Sequence, residues 1–231
     1  MGKDKDNIAP KAKQDPQQDA HHRDEAYTLN DPAKHRAYYD AWAKTYDDDF
    51  LKAEGYTAPK HVARMLVAMA SADDAPVADI GCGTGAIGTS LAALDRPMVM
   101  DGFDISSGML EMAQKTGHYR ATYQVDFTQD QDTHPASYGA IVSSGTFTLG
   151  HLGPDDLLRA LALGRTNALV LISINTLHFA DQGFMGAFQD WQRRGMITSP
   201  EFHEISLYVY KDAATTDNVA GRIAAFRVIT L

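Results

Sequence analysis

The sequence has 231 residues, 44% of them hydrophobic, and a formal net charge of -9 at pH 7. This length accommodates one large domain with a substantial core, or one domain with a short appendage, and no run approaches the roughly 20 apolar residues of a membrane span. The negative charge disfavours nucleic acids as partners, because their binding depends on Lys and Arg contacts to phosphates, and it leaves neutral or cationic small molecules as the favoured ligands.

The first 26 residues are polar, rich in Asp, Lys, Gln and Pro, and poor in aromatic residues. Such a segment buries too little apolar surface to offset its ordering entropy, so we predict a disordered tail with a solvated His21-His22 pair. The segment lacks the apolar centre of a secretory signal and the acid-poor composition of a transit peptide. The single cysteine, Cys82, cannot form an internal disulfide. Together these features predict a cytoplasmic protein, and none of them indicates an oligomeric state.

A helical cap is predicted for residues 27–75. Its first helix opens at Asp31-Pro32 and runs to about residue 49, which places Tyr39, Trp42 and Tyr46 on one face. These rings serve either ordinary helix packing or a lid over a bound cation by cation–π attraction, and both roles are open. The acidic residues 47–49 indicate a solvated helix end. A second helix is predicted from Ala58 to Ala70.

Residues 76–231 alternate short β-like runs with helical ones, which predicts a Rossmann-like α/β fold with a doubly wound, mostly parallel sheet and helices on both faces. The last two strand-like runs, 204–211 and 221–231, are separated by too few residues for a crossover helix and should pair antiparallel. Gly164 alone serves the turn before the fifth strand, so the sequence does not fix the residue at which that strand begins. The other predicted strands are 77–80, 97–105, 121–126, 138–144 and 167–175, and the helices are 85–94, 107–116, 154–163 and 182–194.

The loop after the first strand, DIGCGTGAIG at 79–88, can be read in two ways. From Gly83 to Gly88 it is Gly-x-Gly-x-x-Gly, the dinucleotide fingerprint in which helix-start amides hold a pyrophosphate. From Asp79 to Gly85 it is Asp-x-Gly-x-Gly-x-Gly. The first reading leaves a carboxylate inside a strand and beside a diphosphate, which is unfavourable on both counts. We therefore favour the second, in which Asp79 faces a cationic, phosphate-free ligand such as S-adenosylmethionine.

Further acids follow the next two strands. Asp104 comes nineteen residues after Gly85, where a carboxylate can accept hydrogen bonds from ribose hydroxyls. Dinucleotide sites place an acid at the same spacing, so Asp104 alone does not discriminate. Asp126 and Phe127 put a carboxyl group and an aromatic ring at the third strand end, which suits an adenine. The alternative for Asp126 is a solvated loop acid.

The ordered set of DIGCGTG, Asp104 and Asp126-Phe127 resembles the class I S-adenosylmethionine-dependent methyltransferases over nearly all of residues 36–231. The segments YYDAWAKTYDDD and GTFTLGHLGP are similar to the subgroup related to the Williams-Beuren-region methyltransferase. The resemblance implies a seven-stranded sheet, S-adenosylmethionine as cofactor and S-adenosylhomocysteine as product. In it the glycines back the methionine part, Asp104 holds the ribose, Ile105 and Phe127 flank the adenine, and Asp126 reads its amino group. The cofactor site it implies comprises Tyr39, Tyr46, Asp79, Gly81, Cys82, Gly83, Gly85, Asp104, Ile105, Met109, Asp126, Phe127 and Ser144.

Methyl transfer from a sulfonium is an in-line displacement on an activated carbon, so it requires no metal and no covalent intermediate. We expect the loops after the fourth and fifth strands to contact a small-molecule methyl acceptor. Within them His151 and His178 are candidate general bases, and a hydrogen-bonded structural role is the alternative for each. A non-catalytic cofactor-binding protein and an NAD-dependent oxidoreductase are the competing functions. The expected acceptor-contacting residues are Ser144, Thr146, His151, Asn175 and His178.

Overall fold

The computed structural model describes residues 31–130, 137–209 and 220–231. The predicted tail and its His21-His22 pair lie outside these ranges. The α-helices are α1 Pro32–Trp42, α2 Ala58–Met69, α3 Ala86–Ala93, α4 Ser107–Lys115, α5 Pro154–Leu161, α6 Thr176–Asp181 and α7 Phe184–Arg193, with a π-helical turn at Asp47–Lys52 and a 3-10 turn at Ala72–Asp74. The strands are β1 Val77–Ile80, β2 Met100–Asp104, β3 Ala121–Gln124, β4 Tyr138–Phe147, β5 Gly164–Asn175, β6 Glu201–Ser206 and β7 Ala220–Arg227.

The strands form one sheet in the order β3-β2-β1-β4-β5-β7-β6. Strands β1 to β5 are parallel, and β7 runs antiparallel between β5 and β6. This confirms the predicted seven-stranded, doubly wound, Rossmann-like sheet with antiparallel strands at the C-terminal end. Because β1 to β5 are parallel, their carboxyl ends meet at one edge of the sheet, where ligands bind in such folds.

Helices cover both faces of the sheet, so the central strands are buried on both sides. Along β1, Ile80 packs in one apolar cluster and Val77 in the other. The first cluster also contains Phe103, and the second contains Leu66 from α2. Full burial of each such side chain stabilises the fold by about 1.5–3 kcal/mol. The short apolar runs of the sequence therefore mark the interior of a two-sided sheet.

The first part of the cap differs from the continuous helix predicted for residues 31–49. Asp31 accepts a hydrogen bond from the Ala33 amide at 2.8 Å and starts α1, but the helix ends at Trp42 and a turn separates it from the π-helical segment. The solvated acidic end predicted at 47–49 is wrong for two of its members. Asp49 accepts from Trp42 Nε1 at 3.3 Å, and Asp47 accepts from a threonine of the glycine loop. The third acid, Asp48, is exposed.

The cap is held on the carboxyl edge by hydrogen bonds at both of its ends. Asp40 of α1 accepts from Ser106 Oγ at 2.6 Å and from the Gly108 amide at 2.9 Å, at the start of α4. Burial alone would raise the pKa of Asp40, but these bonds lower it. At the other end the Thr57 amide donates to the Leu207 carbonyl at 2.8 Å. The cap is therefore fixed above the strand ends.

Two strand boundaries also differ from prediction. The strand expected at 204–211 is β6, which begins at Glu201 and ends at Ser206, although its antiparallel pairing with β7 is confirmed. Gly164 does not adopt a left-handed turn but begins β5, and Asn167 takes the positive φ of 69° instead. Within the described ranges we find no helix with the length and apolar character needed to cross a membrane.

Candidate functional site

A cavity of about 410 Å³ lies between the cap and the carboxyl ends of the parallel strands. Its walls come from α1, the segment after it, and the loops that follow β1, β2, β3, β4 and β5. It brings together most of the residues that the sequence singled out. Those that line it are Tyr39, Tyr46, Gly81, Cys82, Gly83, Asp104, Ile105, Met109, Asp126, Phe127, Ser144, Thr146, His151 and His178.

The glycine loop brings backbone to the cavity wall. Gly81 has a φ of +62°, and a Cβ there would lie 2.0 Å from Thr146 Oγ1, so the position accepts no side chain. Gly83 has a φ of +54°, and a Cβ there would meet no atom of the described residues within 4 Å. Because Gly83 also lines the cavity, the open space beside it is available to a ligand.

Asp104 closes the loop from the end of β2. Its Oδ2 accepts from the Gly83 amide and its Oδ1 from the Ser106 amide, both at 2.9 Å. Burial raises the pKa of Asp104 to about 6 in spite of these hydrogen bonds. The group is therefore mostly ionised at neutral pH. Each carboxylate oxygen can accept a second hydrogen bond, which suits the paired hydroxyls of a ribose.

Asp79 and Gly85, by contrast, do not line the cavity, so the structure does not bring Asp79 to the wall where we expected it to face a ligand. Side chains alternate along β1, so Asp79 shares the face of Val77, where Tyr119 O–H donates to its Oδ2 at 2.7 Å. Burial, opposed by that bond and reinforced by the nearby charge of Asp104, raises the pKa of Asp79 to about 7. Gly85 caps α3 with a φ of +93°, and a Cβ there would lie 2.9 Å from the Tyr119 ring. Both residues therefore shape the glycine loop without lining the cavity.

The third strand end supplies apolar side chains and one carboxylate to the cavity wall. Asp126 Oδ1 accepts from the Thr128 amide at 3.0 Å and from Thr128 Oγ1 at 2.6 Å, a local turn that fixes the carboxyl group beside the cavity. Phe127 is buried, and Ile105 from the loop after β2 lines the same space. The predicted adenine residues are therefore together.

His151 has both ring nitrogens occupied. Its Nδ1 lies 2.8 Å from the Leu149 carbonyl, which can only accept, so Nδ1 carries the proton. Its Nε2 then accepts from Tyr39 O–H at 2.8 Å. Burial lowers the pKa of His151 to about 4, and nearby His35 lowers it further. His151 is therefore neutral at physiological pH and is a weak base.

His178 has one nitrogen open. Its Nε2 donates to the Leu152 carbonyl at 2.8 Å, so Nδ1 carries the lone pair, and Nδ1 has no hydrogen-bond partner in the part of the chain that the structure describes. Burial lowers the pKa of His178 as well. Of the two predicted bases, His178 has the nitrogen that can accept a proton from a ligand. Asn175 does not line the cavity but accepts from the Leu177 and His178 amides at the start of α6.

The aromatic rings of the cap divide between the cavity wall and the packing behind it. Tyr39 and Tyr46 line the cavity, whereas Trp42 is 6% exposed and packs behind them, with its ring centroid 4.8 Å from that of Tyr46. Burial raises the pKa of the Cys82 thiol well above its usual value, which agrees with a small structural side chain rather than a nucleophile.

Sequence reasoning missed several contributors to the site, and three of them are Tyr56, Gln182 and Thr84. Tyr56 lines the cavity from just before α2, and Gln182 lines it after α6. Thr84 of the glycine loop donates to Asp47 of the cap at 2.5 Å. The three consecutive acids at 47–49 were the signal in the sequence. The contact of Asp47 with the glycine loop, however, depends on the docking of the cap and not on any local pattern.

Comparisons with known proteins agree with this geometry. Residues 77–166 match the family profile of a methyltransferase domain. A protein of Haemophilus influenzae described as uncharacterized is 30% identical over 129 residues, which cover 54% of this chain and 46% of that protein. This chain thus spans less than half of the length of that relative.

Solved structures extend the likeness beyond residues 77–166. A TehB-like S-adenosylmethionine-dependent methyltransferase from Corynebacterium glutamicum is 21% identical, with a TM-score of 0.55, over 82% of this chain and 97% of that one. The magnesium protoporphyrin IX methyltransferase of Synechocystis, solved with bound S-adenosylhomocysteine, is 16% identical, with a TM-score of 0.60, over 86% and 99%. These likenesses show the shared fold. The domain match, in turn, covers residues 77–166.

Proposed function

We propose that this protein transfers a methyl group from S-adenosylmethionine to a small-molecule acceptor by in-line displacement. The observation that carries the proposal is the hydrogen bond from the Gly83 amide to Asp104, at 2.9 Å in the wall of the cavity. It joins the glycine loop to a ribose-binding carboxylate and satisfies the loop amide without any phosphate. We further propose that the chain belongs to the subgroup related to the Williams-Beuren-region methyltransferase, which the position of Tyr39 and Tyr46 on the cavity supports.

The electrostatics of the loop argue against a dinucleotide. A diphosphate binds where backbone amides at a helix start are unpaired and the local charge is positive. Here the Gly83 amide already donates to one carboxylate, and Thr84 donates to another, that of Asp47. Two negative groups on the loop would repel a diphosphate but not a sulfonium or an ammonium group.

The residues present fit the cofactor part by part. The missing side chain of Gly83 leaves a cradle for the methionine part, and Asp104 has acceptor capacity for both ribose hydroxyls. Asp126, Ile105 and Phe127 all line the cavity, which supplies a hydrogen-bond acceptor and apolar side chains for the adenine. When bound, S-adenosylmethionine supplies an electrophilic methyl carbon attached to a positively charged sulfur.

The protein then has to hold the acceptor in line, exclude water and receive any proton that the acceptor loses. The docked cap covers the site, and the aromatic face of Tyr46 suits a positive centre beneath it. His178 Nδ1 is the group that can receive a proton, a contribution of about a hundredfold to ten-thousandfold in comparable enzymes. His151 acts instead through Tyr39, whose hydroxyl group it fixes.

Calorimetric titration with S-adenosylhomocysteine and with NAD tests this proposal on the full chain. We expect binding of S-adenosylhomocysteine and none of NAD, and we expect Asp104→Asn to weaken the former by about tenfold to a hundredfold, because it removes a charged hydrogen-bond acceptor. Tight binding of NAD alone would refute the proposal. Binding of S-adenosylhomocysteine without transfer to any acceptor would favour the non-catalytic alternative.

A further inference from the structure

We propose that the methyl acceptor is a basic nitrogen compound, an amine or a nitrogen heterocycle, and not an acid. The inference rests on the proposed function and names the substrate class of the same cavity. It follows from the charges, the hydrogen-bond polarity and the ring faces that the cavity presents.

The cavity offers an anion no counter-charge. Among residues 31–130, 137–209 and 220–231, no Lys or Arg side chain lines it, whereas Asp31, Asp104 and Asp126 all do. A carboxylate or phosphate acceptor would have to leave water without a cationic partner, which is costly in a partly buried site. A cationic or neutral acceptor meets no such penalty, and the net charge of -9 attracts cations toward the protein.

The histidines do not replace the missing cations. Burial lowers the pKa of His151 to about 4 and also lowers the pKa of His178, so neither ring is charged at neutral pH. Their proton donors are directed at protein carbonyls, Nδ1–H of His151 at Leu149 and Nε2–H of His178 at Leu152. The nitrogen of His178 that remains is an acceptor, which complements an N–H group of the ligand.

Aromatic faces complete the match. Tyr39, Tyr46 and Tyr56 line the same cavity, and rings in this arrangement attract ammonium groups by cation–π interaction. In the reaction an ammonium nitrogen first gives one proton to His178 Nδ1, which passes it to solvent. The lone pair that this leaves on nitrogen forms the new N–C bond while the C–S bond breaks and leaves its electron pair on sulfur.

Methyl transfer into fractionated small molecules tests the inference. A deproteinised cell extract is divided by ion exchange into cationic, neutral and anionic pools, and each is incubated with the full chain and methyl-labelled S-adenosylmethionine. Labelled product, separated from unreacted cofactor, should arise from the cationic pool and fall strongly with Asp104→Asn when the cofactor is not saturating. Product from the neutral or anionic pool alone would overturn the inference and leave methyl transfer standing. No product from any pool, with S-adenosylhomocysteine still bound, would refute methyl transfer and this inference with it.

Two substitutions of opposite charge at Gln182 give an independent readout. Gln182 lines the cavity and is exposed, so it tolerates substitution. Gln182→Lys should lower kcat/KM for the cationic acceptor about fivefold relative to Gln182→Glu, since the two variants add opposite charges at one position. Equal values, or a faster Lys variant, would contradict a cationic acceptor.

Discussion

Replacing Gly83 by alanine separates the role of the glycine loop in binding from its role in folding. Gly83 has a left-handed φ of +54°, and an added Cβ would meet no atom within 4 Å in the part of the chain that the structure describes, so we expect no steric clash there in Gly83→Ala. The cost to folding is the left-handed backbone of a residue with a side chain, about 1–2 kcal/mol. The new methyl group would, however, stand in the space that we assign to the cofactor.

Gly117→Ala is the matched control. Gly117 has a φ of +72° and also has nothing within 4 Å of an added Cβ, but it does not line the cavity. Both variants should therefore lose similar stability in urea titrations, about 1–2 kcal/mol. Overpacking a binding site by one methyl group costs about 1–3 kcal/mol, so Gly83→Ala should weaken S-adenosylhomocysteine binding by about fivefold to 150-fold.

Calorimetry on both variants measures the difference. The reasoning requires normal affinity in Gly117→Ala and a loss in Gly83→Ala. If Gly83→Ala binds S-adenosylhomocysteine as tightly as Gly117→Ala, the glycine loop does not contact the cofactor and the assignment of the cavity is refuted.

The remaining predictions concern three side-chain contacts. The pKa of Asp104 is about 6, and a carboxylate accepts hydrogen bonds better than its protonated form, so S-adenosylhomocysteine affinity should fall as pH drops below about 6. Asp104→Asn should remove most of that pH dependence. An unchanged pH profile in the variant would assign the dependence to another group. Burial raises the pKa of Asp79 to about 7, so its ionisation should cost stability progressively as pH rises from about 4 to 7, by up to about 4 kcal/mol. Asp79→Asn retains an acceptor for Tyr119 and should therefore gain stability over the wild type at pH 8 but not at pH 4, which denaturant titrations at the two pH values can check. Tyr39→Phe removes the 2.8 Å bond to His151 and should cost about 1–3 kcal/mol of unfolding free energy, and a double-mutant cycle that finds no coupling between the two positions would contradict the contact.

The sheet could be predicted from sequence because each central strand is buried on both faces. Val77–Ile80 is fully buried, and its short run between polar breaks is typical of a strand covered on both faces. The edge strand Glu201–Ser206 is mostly exposed, its alternation is weak, and its bounds were predicted too late in the chain. In the cap the helical spacing of the rings continues past Trp42, although the helix does not, because tertiary packing of the rings and not the period fixes that segment.

The site shows the same division between local and long-range information. Spacing alone identified Gly83 and Asp104, because the ends of neighbouring parallel strands necessarily meet. It did not give the direction of the Asp79 side chain, which follows from its strand face and from Tyr119, forty residues away. It also did not reveal that the Asp47 carboxylate contacts the glycine loop, since that contact exists only after the cap docks.

A crystal structure of the full chain grown with S-adenosylhomocysteine tests the central claim most directly. We predict that the ribose hydroxyls will lie within hydrogen-bond distance of Asp104, with the adenine between Ile105 and Phe127 and the sulfur facing the cap. Density for the nucleoside outside this cavity, or a diphosphate-bearing ligand along residues 83–88 in its place, would contradict the claim.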